Sequence, residues 1–301
     1  MDFPVSGVEI SPLIPPLTAL AISFFTSMAG VSGAFLLLPF QVSVLGFSSP
    51  AVSPTNLFYN IVGIPGGVYR YIREGRMVWP LACVIVAGNL PGLLIGVWLR
   101  VVFLPDPAAF RFFVGCVLLY VGGRLFYDIL GRGRNSGDRL PTIDSSSPSR
   151  IETRSLSARA FTYSFQGEVF SFNPAGLFAL SLVVGVVGGT YGIGGGAIIA
   201  PILVAVFHLP VYTIAGATLF STFLSSIIGV LFYTVAAPIW APADLAVAPD
   251  WLLGLLFGVG GLVGTYLGAR FQKFFPGRTV KIILAVCLLI IAGRYVVSFF
   301  L

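Results

Sequence analysis

Two stretches of this chain carry residue types able to do chemistry, and they are copies of each other. Residues 30–39 read GVSGAFLLLP and residues 192–201 read GIGGGAIIAP, so Gly30 falls on Gly192, Ser32 on Gly194, Gly33 on Gly195 and Pro39 on Pro201. The GVSG tetrapeptide, with His208 as the single histidine, would suit a serine nucleophile and its base. The second copy argues against that chemistry, because Gly194 stands where Ser32 does and the position behaves as a small backbone site. Anion binding suits both copies. A helix interrupted at glycine presents free backbone N–H groups and the positive end of its dipole, worth about 0.3 to 1 kcal/mol per charge when exposed and up to about 2 when partly buried. Glycine also lets an oxyanion reach those N–H groups with no Cβ in the way.

Half-helices are expected to start near Ala34 and Ala197, and no carboxylate lies in these segments or in the ones that follow, where a cation site would be expected to have one. The following segments supply neutral donors instead. Thr55, Asn56, Tyr59 and Asn60 share one helical face, and the repeat equivalents are Thr218, Ser221 and Thr222. With Gly30, Ser32, Gly33, Thr190, Tyr191, Gly192, Gly194, Gly195 and Gly196 they form the candidate substrate-binding set. The other role open to such hydroxyls and amides is to hold helices together in lipid.

The elements that position these residues belong to a membrane. Hydrophobic residues make up 57% and charged residues 9%, and mean hydropathy is +0.98, whereas soluble domains carry about 25% charged residues. No Asp, Glu, Lys or Arg occurs between Glu9 and Arg70 or between Glu168 and Asp244. The net charge of +6 comes from 15 Arg and 2 Lys clustered in connections, which reports topology and headgroups rather than nucleic acid. Cys83, Cys116 and Cys287 lie in apolar runs and are odd in number, so they read as small buried hydrophobes and not as a disulfide or zinc framework. No cofactor is expected. The N-terminus, MDFPVSGVEISP, lacks the basic region of a signal peptide and reads as a short tail.

Apolar stretches fall at 13–46, 51–69, 77–99, 105–130, 174–207, 211–236, 251–270 and 278–301. Six suit a hydrocarbon core that takes about 20 residues to cross, while 13–46 and 174–207 would be about 50 Å long as straight helices and must break at their glycines. Arginine-rich connections at 70–76, 131–173 and 270–281 are expected on the cytoplasmic side; 46–54 and the acidic 237–250 are expected outside. Segment 174–207 then begins and ends inside as a re-entrant hairpin, and its mate 13–46 opens to the other side; the alternative, continuous crossing by both, gives eight spans in two parallel repeats and misplaces the 270–281 cluster. One hairpin plus three spans per half is an odd count, which inverts the second half relative to the first. The expected fold is an all-α integral membrane protein of two inverted repeats, 1–130 and 174–301, joined by a flexible cytoplasmic linker at 131–173 whose Ser, Arg, Gly and Pro run has little to bury.

The duplication continues past the glycines: Thr55-Asn56-Leu57-Phe58 matches Ala217-Thr218-Leu219-Phe220, and Leu118 to Arg124 matches Leu288 to Arg294. Gly92 and Gly96, like Gly264 and Gly268, have the spacing that lets helices pack closely. Glycine-rich breaks ending in proline, in two halves of a roughly 300-residue hydrophobic chain, resemble the sulfite exporter TauE/SafE family, with TYGIGGGAIIAP as the most specific element. The resemblance implies transport of small sulfur-containing anions, sulfite or organosulfonates such as sulfoacetate, across the plasma membrane, with no enzymatic activity. The implied partners are the anion and the lipid bilayer. An anion channel, another carboxylate or anion as cargo, and H+ or Na+ as coupling ion stay open. Arg124 and Arg294 near span ends read as snorkelling to headgroups.

Overall fold

The computed structural model describes residues 1–47, 49–131, 152–156, 160–165, 168–205, 207, 209–241, 246–275 and 277–300. The expectations attached to His208, Asp244 and residues 132–151 lie outside them. A two-residue hairpin pairs β1 (Asp2–Phe3) with β2 (Val8–Glu9). The first half continues as α1 (Ile14–Met28), α2 (Ala34–Ser43), α3 (Val52–Gly63), α4 (Pro65–Arg73), α5 (Trp79–Phe103) and α6 (Pro107–Gly131). Strands β3 (Glu152–Leu156), β4 (Phe161–Phe165) and β5 (Glu168–Phe172) precede α7 (Pro174–Tyr191), α8 (Gly196–Ala205), α9 (Val211–Val235), the short α10 (Ala237–Trp240), α11 (Trp251–Phe271) and α12 (Gly277–Phe300).

Local sequence explains these limits. Prolines open α1, α4, α5 and α7, where the missing N–H costs nothing. Asn173 caps α7 by accepting from the N–H groups of Ala175 and Gly176, and Asp250 caps α11 by accepting from that of Leu253. Both long apolar stretches break at their glycines. Gly30 (φ 73°) and Gly192 (φ 82°) take the left-handed conformation at the ends of α1 and α7. The next residue repeats the match, since the N–H of Val31 bonds the Thr26 carbonyl and that of Ile193 bonds the Gly188 carbonyl.

Close glycine contacts fix helix directions. A methyl group at Gly88, Gly92 and Gly96 would run into the carbonyls of Phe178, Leu182 and Val186 in turn, so α5 and α7 are parallel. Gly260, Gly264 and Gly268 meet the carbonyls of Pro16, Leu20 and Phe24 in the same way, so α1 and α11 are parallel. The expected close-packing role of Gly92, Gly96, Gly264 and Gly268 is what the structure contains. Asn89 meets Ser221 and Ser225, and Leu93 meets Gly229, which makes α9 parallel to α5. Gly254 meets the Thr55 carbonyl and Gly66 that of Leu262, so α3 and α4 run parallel to α11. Because α7 and α9 share a direction, α8 between them must run back; α2 runs back between α1 and α3 for the same reason. At ten residues each, α2 and α8 are about 15 Å long, half of a hydrocarbon core.

Among the described residues, five helices are long and apolar enough to cross a membrane: α5, α6, α7, α9 and α11. Ile95, Leu119, Val183, Leu231, Val259 and Ile290 are exposed around the bundle, as a lipid-facing belt requires. Cys83 and Cys116 are exposed on that belt and Cys287 is half-buried, which corrects the expectation that all three pack inside the protein. The expected span 51–69 is two helices, α3 and α4, divided at Pro65, with the freed Gly63 carbonyl taken by the Thr265 hydroxyl at 2.6 Å.

The 131–173 connection also differs from expectation over its described part. Residues 152–172 hold an antiparallel sheet ordered β3-β4-β5. Its cause is the two-residue alternation in FTYSF and EVFSF, which the polar run before it obscures. The sheet covers one end of the bundle, where Phe165 stacks on Tyr212 and Tyr163 bonds Thr213 at 2.9 Å. We term this the sheet face. At the opposite, N-terminal face, the backbone N–H and hydroxyl of Ser6 both bond the Asp250 carboxylate.

Candidate functional site

The two glycine breaks meet inside the bundle, each held by the other half of the chain. Gly30 lies against Ala215 of α9, and Gly192 lies against Ser53 of α3. The Thr218 hydroxyl donates to the Gly30 carbonyl at 2.8 Å, while the Asn56 amide donates to the Gly192 carbonyl at 3.2 Å and to that of Ala34 at 3.1 Å. Since Asn56 and Thr218 are repeat mates, and so are Gly30 and Gly192, these bonds are one contact made twice. Tyr191 completes the junction. Pro39 cannot donate to the Phe35 carbonyl, and the Tyr191 hydroxyl takes that place at 3.1 Å.

The breaks differ in their finish. At the first, the Ser32 hydroxyl caps α2 by accepting from the Ala34 N–H at 3.1 Å and donates to the Asn60 side chain. At the second, Gly194 (φ 77°) occupies the equivalent place, and the N–H groups of Gly194, Gly195 and Gly196 have no acceptor among the described residues. The positive φ therefore belongs to Gly192 and Gly194. Gly195 is required for space, because a methyl group there would strike the Asn89 amide oxygen and the Gly185 Cα. At the first break Gly33 is covered instead by the hydroxyls of Tyr59 and Ser23, themselves 2.6 Å apart. Large and small residues are exchanged to allow this. Ser221, the mate of Tyr59, leaves room for Asn89, and Gly261 leaves room for the Tyr59 ring.

Every side chain of the candidate set is at most 3% exposed. Thr222 donates to the Thr218 carbonyl, and the Asn60 amide donates to the Ile193 carbonyl and to Ser226. Thr190 sits against α5, with its hydroxyl bonded to the carbonyls of Gly96 and Val186. Thr55 is not at the junction; its hydroxyl bonds the Ala51 carbonyl and accepts from the Asp250 N–H at the N-terminal face. Among the described residues the side-chain protons of Ser32, Asn56, Asn60, Thr218 and Thr222 are thus spent on the chain's own oxygens, and the unpaired donors at the junction are backbone N–H groups: those of Ser32 and Gly33 at the first break and those of Gly194, Gly195 and Gly196 at the start of α8. A hollow beside the junction, lined by Val31, Phe35, Pro201 and Val204, is apolar.

Reading the sequence alone misses several participants. Asn89 is fully buried, donates to Ser221 and Ser225, and its oxygen has no partner among the described residues. Gln41 reaches the Asn56 oxygen at 3.4 Å. Arg100 is buried at the N-terminal-face end of α5 with no side-chain hydrogen-bond partner among the described residues, and Tyr233 of α9 is close by. A signal existed for each: Asn89 is the lone amide in an apolar run, and Arg100 is a cation on the side where arginine is scarce.

Comparison with known proteins agrees with this architecture. The family model for Sulfite exporter TauE/SafE matches residues 16–295. The chain is 23% identical over 279 residues to the "Probable membrane transporter protein YunE" of Bacillus subtilis (strain 168), covering 90% of this chain and 92% of that one. No solved structure matches. A multi-pass helical protein with paired glycine breaks at its centre, matched from its first helix to its last, belongs to the TauE/SafE family of membrane transporters.

Proposed function

We propose that the protein is a secondary transporter or facilitator of small sulfur-containing anions, sulfite or organosulfonates such as sulfoacetate, across the plasma membrane. The observation that carries this reading is the buried start of α8, where three successive backbone N–H groups lack acceptors among the described residues, in a segment whose sequence holds no carboxylate. An oxyanion accepts several such N–H bonds at once and favours the positive end of the helix. Asn56, Asn60 and Thr218 would turn to the anion when the junction opens, because carbonyls of the two breaks, which must part, are among their present acceptors; Thr222, bonded within α9 to the Thr218 carbonyl, lies on the same face. The described conformation is then the closed one in a cycle that opens the junction to each side in turn. The fold is two inverted repeats, 1–130 and 174–301; the parallel pairings of α1 with α11 and α5 with α7 support this, with the sheet face cytoplasmic. Residues 131–173 connect the halves.

Flux into proteoliposomes of sulfite, sulfoacetate, acetate and chloride tests the proposal. Saturable flux that prefers the sulfur anions is expected. Equal, unsaturable flux of all four would make the protein an anion channel, and preference for acetate would make it a carboxylate carrier. Single cysteines at residues 6 and 240 should react with impermeant reagent from outside, and one at 74 should be protected in intact cells. The reverse pattern would overturn the assigned orientation.

A further inference from the structure

Arg100 has a surrounding that neither helix packing nor headgroup contact explains. It is fully buried, and Nε and both terminal nitrogens of its guanidinium have no hydrogen-bond partner among the described residues. Its flat face rests on the Phe110 ring at 3.8 Å, which leaves the edge that carries the N–H donors unused. The Tyr233 hydroxyl lies near it and faces the Ser53 hydroxyl, and both of those oxygens are buried with no hydrogen bond of good geometry among the described residues. Five orphaned polar atoms therefore gather at one place, where natural structures leave few. Asp106 makes no ion pair with it among the described residues; its carboxylate caps α6 by accepting from the Ala109 N–H at 2.7 Å. Full burial also keeps Arg100 from snorkelling to phosphate headgroups.

Ser53 links this cluster to the junction, because it is the residue on which Gly192 packs. Repeat mates show what a merely structural version looks like. Gln272 takes the place of Arg100 and Tyr71 that of Tyr233, and there every polar end is bonded: Gln272 to the Met28 carbonyl at 2.6 Å, Tyr71 to the Ser27 carbonyl at 3.1 Å and to Gln272 at 3.2 Å.

We propose that Arg100, Tyr233 and Ser53 form a second anion-binding station, on the N-terminal-face side of the Gly192 break, which receives the oxyanion before or after the junction does. The guanidinium supplies a two-pronged, charge-assisted hold on two oxygens, and the two hydroxyls take the third. This rests on the anion reading given above.

The test uses the full chain, with sulfite as the probe, in radiolabel flux and in thermal unfolding of the purified protein. Arg100→Gln should raise the sulfite concentration for half-maximal flux about tenfold or more and remove the rise in melting temperature that sulfite gives the wild type. Its melting temperature without sulfite should equal or exceed that of the wild type, since an uncompensated buried charge is gone. Arg100→Lys should fall between the two. Unchanged sulfite dependence in Arg100→Gln, or a drop in its sulfite-free melting temperature that Arg100→Lys restores, would overturn the proposal. Should Arg100→Gln fail to fold, Tyr233→Phe, which removes one unpaired hydroxyl, must weaken half-saturation about threefold; no change there would also sink it. A wild type that neither moves nor binds sulfite would remove the anion reading itself, whereas an active wild type with indifferent variants would remove the station alone.

Discussion

The two ends of the bundle are built from equivalent positions and finished in opposite ways. At the sheet face, Tyr71 and Gln272 join Arg76, which is 1% exposed, pairs with Glu74 at 2.7 Å, bonds Gln272 and lies 3.4 Å from the Tyr212 ring centre. Through Gln272 and Tyr71 this network grips the last carbonyls of α1, just before the Gly30 break. At the N-terminal face, Tyr233 and Arg100 occupy the matching places, beside the Gly192 break, and none of their side-chain polar atoms is bonded among the described residues. Burying a cation without partners is costly, and a fold that needed only stability would not keep it. On the proposal made above, the contrast separates a latch, which would hold the closed conformation, from a receptive end, which would take a charge from outside the chain.

Six substitutions break or sharpen that contrast. The largest effect is expected at the junction the two ends serve. Gly195→Val drives a side chain into the Asn89 oxygen and the Gly185 backbone, and should abolish sulfite flux in protein that remains monodisperse. Gly33→Val should be tolerated better for transport, since its neighbours are the ends of the Tyr59 and Ser23 side chains. Next comes the latch. Arg76→Ala leaves Glu74 with Arg70 alone and the Gln272 oxygen with the Tyr71 hydroxyl alone, and thermal or denaturant unfolding should register a loss of about 1 to 3 kcal/mol, while replacing Arg100 by Met should leave stability equal or raise it by about 1 to 4. A loss of similar size at both positions would erase the distinction between latch and receptive end. The smallest effect is expected from Thr218→Val, which keeps the shape and removes the hydroxyl that holds the Gly30 carbonyl, at a cost of about 1 to 3 kcal/mol in stability and a weaker half-saturation for sulfite. Ser32→Ala belongs with it. The Gly194 equivalence suggests a mild change, yet Ser32 caps α2 and serves Asn60, so a loss of similar size is expected.

What could be read from the residues alone follows from how local each cause is. Breaks at Gly30 and Gly192 are legible because a long apolar stretch with clustered glycines has no other way to fit a membrane, and the repeat marks both at once. The direction of α2 and α8 follows from counting arginines at the ends of segments. Asn56 and Thr218 can be singled out from the sequence as polar residues on the helices that follow the breaks, but not that their donors are spent on the opposite break, because that contact joins residues 136 and 188 positions apart. Tyr59 against Gly33, and Asn89 against Gly195, likewise depend on which helix lies opposite, and no spacing encodes that. Strands β4 and β5 were legible in principle; their alternation is hidden only by reading 131–173 as one polar segment. Arg100 escapes because a single arginine at a span end looks like an interfacial anchor until its burial is known.

Whether the two breaks part to carry an anion is tested most directly by counterflow. Proteoliposomes loaded with unlabelled sulfite and diluted into a trace of labelled sulfite should accumulate label transiently above its outside concentration, and Gly195→Val should show none of it. A carrier that turns the same site to each side produces that overshoot. Label that only equilibrates, at a rate indifferent to sulfite inside, would contradict the alternating junction and leave an open pore in its place.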